Sequence, residues 1–123
     1  MTTPARLADC GSRPNCVSST ATNPKRRVGP WQLAVAPDVA WSGAREIVAA
    51  TPRTTVVEAT DSYLHAEARS RIFGFVDDLE LLLDGNELAV RSASRIGYSD
   101  RGVNRRRVEA LRLELVGRGL IQP

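Results

Sequence analysis

FGFVDDLELLLDGNELAVRSASR, residues 73–95, decides the fold. Apolar and polar residues alternate on both sides of Asp84-Gly85-Asn86-Glu87, and Gly and Asn tolerate the positive φ of a tight turn, so the stretch predicts a β-hairpin. A turn at Gly85-Asn86 sets Glu80 opposite Arg91; a turn at Asp84-Gly85 sets Asp78 there. Either register yields the same two faces, because strand side chains alternate with a period of two. One face carries Phe75, Asp77, Leu79, Leu81, Leu83, Leu88, Val90, Ser92 and Ser94 and reads as core. The other carries Val76, Asp78, Glu80, Leu82, Ala89, Arg91, Ala93 and Arg95, opposite charges of the kind that cross-strand neighbours favour.

Working outward, SYLHAEAR reads as the preceding strand, with Leu64, Ala66 and Ala68 toward the core and Tyr63, His65, Glu67 and Arg69 on the charged side. RTTVVEAT has strand character too, and QLAVA after Trp31 suits a short strand. Pro37-Asp38 opens a helix with Asp38 as its N-cap; Trp41, Ala44, Val48 and Thr51 share one of its faces, and Pro52 stops it. Ser99 or Asp100 caps a second helix from about residue 102, with an apolar stripe of Val103, Val108, Leu111 and Leu115, ended by Gly117 and Gly119. The order predicts a two-layer α+β fold, an antiparallel sheet of about four to five strands with two helices packed on one face. Residues 31–123 form that single domain. Residues 1–30, rich in Pro, Ser, Thr, Asn and Arg and without periodicity, read as an irregular N-terminal arm.

With 123 residues, 42% hydrophobic and 25% charged, the chain suits one globular domain. No apolar run approaches the roughly 20 residues of a membrane span, and MTTPARLADCGSRPNC has no apolar core of a secretory signal, so a soluble, cytoplasmic protein is expected. The charge is unevenly spread: residues 91–107 hold six arginines against one acid, while residues 77–87 hold five acids and no base. Two blocks that cancel argue for strands lying side by side more than for an open basic surface. Nucleic-acid binding through the arginine-rich helix is therefore the alternative reading, weakened further because Tyr98 is the sole aromatic in the basic block.

No signature of nucleophilic, phosphate-loop or zinc-hydrolase chemistry is present, and His65 is the only histidine. The sequence implies no catalytic residue, no metal and no cofactor; an unrecognised enzyme stays a minor alternative. Asp77 and Asp78 point to opposite faces of their strand and cannot act as a couple. Asp77, on the core face, needs donors; Ser92 and Ser94 lie near, and the capped helix start from Asp100 to Asn104 follows the same strand. The bland reading leaves Asp77 wet at the strand end. The functional one is a polar pocket at the sheet's open end, formed by Asp77, Ser92, Ser94, Asn104 and Arg107, with Asp78, Arg91, Arg95 and Asp100 around it, for an anionic small molecule or a protein partner. Arginines in a helix's first turns oppose its dipole, and internal carboxylates such as Asp78 or Glu80 would offset that cost. Cys10 and Cys16 could bridge, could coordinate metal with carboxylates, or could stay free thiols, the default in cytosol.

NCVSS at 15–19, FGFVDDLE at 73–80 and RSASRIGYSDRGVNRRRVE at 91–109 together resemble the bacterial and plastid family known as domain of unknown function 1499. The resemblance runs from about Cys10 to Leu115. Members typically carry Cys-Pro ahead of the Asn-Cys-Val-Ser-Ser run; here Gly11 follows Cys10. Membership implies a small α+β domain and no established activity. It also implies that the arm is a fixed element docked on the body, with Asn15 or Ser18 bonded to the 91–105 region and Cys16 shielded.

Overall fold

Alternation through residues 76–94 produces the expected hairpin, β5 (Val76–Asp84) and β6 (Glu87–Ser94). Asp84 pairs with Glu87 and Glu80 with Arg91, so the turn is Gly85-Asn86, and Gly85 alone, at φ +59°, supplies the left-handed residue. This is a computed structural model, and it describes residues 3–71, 73–97 and 99–123; Tyr98 lies outside them. β4 (Tyr63–Arg69) pairs with β5, and β3 (Thr54–Ala59) pairs with β4 through a register shift between Val56 and Glu58. The free side of β6 takes two short strands end to end, β1 (Cys16–Ser18) and β2 (Trp31–Gln32). The sheet thus has six antiparallel strands where four to five were expected. The addition comes from β1, inside the segment read as irregular; three residues are too few to display a period.

Two helices, α1 (Pro37–Ala50) and α2 (Val103–Gly117), pack on one face of the sheet. Ala40, Trp41, Ala44, Ile47 and Val48 of α1 and Val108, Leu111 and Leu115 of α2 share one core with Leu64, Ala66, Leu79, Leu81, Leu88 and Val90. Each large aliphatic side chain buried there is worth about 1.5–3 kcal/mol. Leu120 and Ile121 return to the same core after α2, and Leu33 bridges to Ile121.

Several local expectations change. Asp38 is not the N-cap of α1: Ala36 holds that position without a side-chain bond, and Pro37 is the first helical residue. Asp100 does serve the start of α2, but from two residues before Gly102, its carboxylate accepting from the Gly102 and Asn104 amides. Val103 is exposed, which shortens the apolar stripe to Val108, Leu111 and Leu115. Phe75, assigned to the core face, precedes the first residue of β5 and is half exposed.

The second face of the sheet is covered from the N-terminus. Leu7 packs on Tyr63, Leu82 and Ala89, and Cys10 and Cys16 pack on Ala93. The two cysteines form a disulfide, Cα atoms 5.6 Å apart, in place of the free thiols expected by default. Ala8 O accepts from Ser18 Oγ, Thr20 Oγ1 and Arg91 Nε, tying this cover to β6.

Packing is tight where α1 meets the C-terminal tail: a Cβ on Gly43 would come 2.4 Å from Cδ1 of Leu120, itself buried. At an exposed helix site Gly→Ala gains up to about 1 kcal/mol, whereas overpacking a core costs about 1–3 kcal/mol. Gly43→Ala is therefore expected to lower the denaturation midpoint, and in a Leu120→Ala background the same change is expected to raise it. A stabilising Gly43→Ala in the otherwise native chain would refute the contact.

Candidate functional site

At the end of the sheet opposite the Gly85 turn, a polar seam runs between β6, α2 and the arm. The carboxamide of Asn104, fully buried in the first turn of α2, is its centre. Its Oδ1 accepts from Ser92 Oγ at 2.6 Å and from Arg107 Nη1 at 2.9 Å. Its Nδ2 lies within donating reach of Asp100 Oδ2 (2.7 Å), Ser94 Oγ (2.9 Å) and Asn15 O (3.2 Å). Asn15, buried beside it, donates from Nδ2 to Gly97 O and Ile96 O, and its carbonyl accepts from the Ser94 amide. The arm is thereby stitched to the 91–105 region through Asn15. Ser18 bonds instead to Ala8 and Thr20 within the arm.

Asp77 sits on the core face and is nearly buried. Nη1 of Arg107, one turn into α2, lies 2.8 Å from its Oδ2. The serines thought to serve Asp77 bond to Asn104 instead, and Arg107 finds Asp77 and not Asp78 or Glu80. Burial raises the Asp100 carboxyl, but donation from Asn104 and Gly102 outweighs it and holds this acid below the ordinary range.

The opposite face carries the charged lattice. Arg91 Nη1 lies 3.5 Å from Glu80 Oε1, and Tyr63 donates to the same carboxylate; burial, with that bond, pushes the phenol well above its usual value. Arg95 reaches both Asp78 and Glu67, and His65 bonds Asp78 at 2.7 Å. Arg95, opposed by burial and helped by His65, holds Asp78 below the ordinary carboxylate range. The nine residues singled out as one ligand site therefore fall into two groups. Asp77, Ser92, Ser94, Asp100, Asn104 and Arg107 meet beneath α2; Asp78, Arg91 and Arg95 lie on the far side of the sheet.

Most of these groups satisfy one another. Arg107 is different, because it also lines a cavity of about 220 Å3 between the C-terminal end of α1, the first turns of α2 and the ends of β4 and β5. Ile47, Val48, Ala68, Leu79, Ala110 and Leu111 form its apolar wall; Thr51, Thr54, Arg53 and Arg69 complete it. Among the described residues that line it, none is acidic. Sequence reading missed Arg53 and Arg69. Thr51-Pro52-Arg53 signals only a helix stop at Pro52; the unusual φ of +56° at Arg53 emerges only in the folded chain. Arg105 and Arg106 spend donors on the carbonyls of Lys25 and Arg101.

The family model described as protein of unknown function DUF1499 matches residues 6–115, from the arm almost to the end of α2. The chain belongs to this family. No curated protein and no solved structure matches the chain. Gly11, where the family's pattern carries proline, stands at φ +61°, a path closed to a ring locked near −65°.

The lattice makes a quantitative contrast. Arg91, 14% exposed, partners Glu80 and Ala8 O, whereas Arg106 is exposed. Arg91→Ala is expected to cost about 1–3 kcal/mol and Arg106→Ala well under about 1 kcal/mol. Equal melting temperatures for the two variants would defeat the lattice reading.

Proposed function

We propose that the protein is a binding protein for a small anionic ligand whose apolar part enters the cavity between α1 and α2 and whose charge meets Arg53, Arg69 and Arg107. The observation that carries this is the composition of the wall: three arginines among the residues around an apolar interior, with no acid among the described lining residues, Arg69 also lying 3.7 Å from Glu67 Oε1 outside the wall. A guanidinium fork pairs best with carboxylate or phosphate oxygens. Asp77, Ser92 and Asn104 hold Nη1 of Arg107, while its Nε and Nη2 have no protein partner among the described residues. The seam of Asn15, Ser94 and Asp100 thus acts at one remove, by fixing the helix turn that carries Arg107. Arg53 supports the same reading from its backbone, since non-glycine residues in the left-handed region concentrate at functional sites. At about 220 Å3 the cavity falls below the roughly 300–1,000 Å3 of sites for drug-sized ligands, which favours a short chain or a single small ring.

Octanoate is a suitable probe, with octanol as its uncharged counterpart. Titration followed by NMR is expected to shift resonances of Val48, Leu79 and Arg107 with octanoate and far less with octanol. Replacing Arg53 and Arg69 together by Gln is expected to weaken octanoate at least about tenfold, two charged hydrogen-bonding partners being lost. Shifts that are equal for the two probes, or unaltered by the double substitution, would sink the reading.

The disulfide bears on compartment. A buried Cys10–Cys16 bridge favours an oxidising environment over the cytoplasm first expected, since reducing pools keep cytosolic thiols free. Protein isolated with thiols blocked and then denatured is expected to react with no thiol reagent until it is reduced; two reactive thiols at that stage would remove the argument.

A further inference from the structure

We propose that the β4–β5 loop docks on the surface of an anionic lipid bilayer. Phe73 and Phe75 stand out of this loop, 74% and 49% exposed, with ring centroids 5.4 Å apart. Large apolar side chains exposed in a group mark interaction surfaces in a way that scattered single ones do not. The loop presents them from a closed base: the Ser70 amide donates to Phe75 O at 2.8 Å, and the Phe75 amide donates to Ser70 Oγ at 2.9 Å. Beside it lies the β6–α2 loop, held close by the Arg95 amide bonding Val76 O, and Ile96 on that loop is 58% exposed.

Charge selects the occupant. Phe73 shares a shallow depression with Arg53, Arg69 and Arg71, and none of its described lining residues is acidic. Two rings on a projecting tip, rimmed by guanidinium groups, fit the boundary between acyl chains and negative headgroups, where aromatic side chains enter and basic ones stay at the phosphate level. No helix among the described residues is long and apolar enough to cross a membrane.

Neither phenylalanine lines the octanoate cavity, so substituting them tests this surface without altering that site, although the two openings share Arg53, Thr54 and Arg69. Flotation with vesicles of phosphatidylcholine, alone or mixed with phosphatidylglycerol, tests the proposal on the full chain. Binding is expected to the mixed vesicles and not to phosphatidylcholine alone, and to fall as salt is raised. Phe73→Ala with Phe75→Ala is expected to reduce it at least about tenfold, through loss of inserted apolar area, and Arg71→Gln to reduce it by a smaller factor. Both variants change exposed side chains and are expected to keep the native melting temperature, which checks that they fold. No flotation with mixed vesicles at low salt, or flotation unchanged by the phenylalanine pair, overturns the proposal; the former result would leave the patch to a protein partner.

Discussion

A carboxamide with no access to water joins the three parts of this protein. Asn104 belongs to α2, its oxygen accepts from Ser92 of β6, and its nitrogen faces Asn15 of the arm, Ser94 of β6 and Asp100 of the preceding loop. A buried polar group left without a partner costs about 1–3 kcal/mol, and in this seam only Asn15 Oδ1 lacks one among the described side-chain atoms. A slide of α2 along the sheet, or a detached arm, would break several of these bonds at once. The apolar core supplies most of the stability, but apolar contacts are non-directional. Direction comes from this seam.

The seam also explains how the basic block is distributed. Six arginines between residues 91 and 107 would repel one another on an open surface. Here Arg91 and Arg95 go to the acids of β4 and β5, Arg107 turns inward to Asp77, and Arg105 and Arg106 reach backbone carbonyls. A partly buried pair such as Asp77 with Arg107 adds little net stability against an apolar replacement, since desolvation offsets the attraction. Removing one member is a different matter, because it strands the other. The pair is therefore better understood as fixing the orientation of a guanidinium that also borders a cavity than as a source of stability.

How much of this was legible depends on how local each feature is. Faces of the hairpin follow from a period of two, so the division between Asp77, Ser92 and Ser94 and their neighbours Asp78, Arg91 and Arg95 could be read directly. The helix start after β6 placed Asn104 and Arg107 near the same strand end. What could not be read was the choice of partner: Asp77 prefers Arg107 to the serines because of the distance between α2 and the sheet, a tertiary quantity. β1 escaped because its three residues pair with a strand more than 70 positions away. Arg53 and Arg69 escaped for a related reason. They flank the open end of the β3–β4 pair, where the Arg69 amide donates to Arg53 O, and only the packing of α1 and α2 over that end makes a cavity there.

The two ends of the sheet differ in a way that net charge conceals. At the Gly85 end, β2 and the Leu33–Ile121 bridge close the layers over apolar side chains. At the other end three chain reversals meet: α1 into β3, β4 into β5, and β6 into α2. α1 brings its C-terminus there and α2 its N-terminus, so the helix dipoles oppose each other and leave the sign of the field to side chains. Asp77, Asp78 and Asp100 are already held by Arg107, Arg95 and Asn104. Arg53, Arg69 and Arg71 gather around the remaining openings with no acid among the described residues that line them. The end of the molecule with the fewest apolar closures is thus also rich in arginine, with Arg69 3.7 Å from Glu67 Oε1, and its two openings share Arg53, Thr54 and Arg69 as a common wall. A bound anion at one would lower the potential felt at the other, so small-ligand binding and lipid contact would oppose each other through charge alone, with no movement of the backbone required.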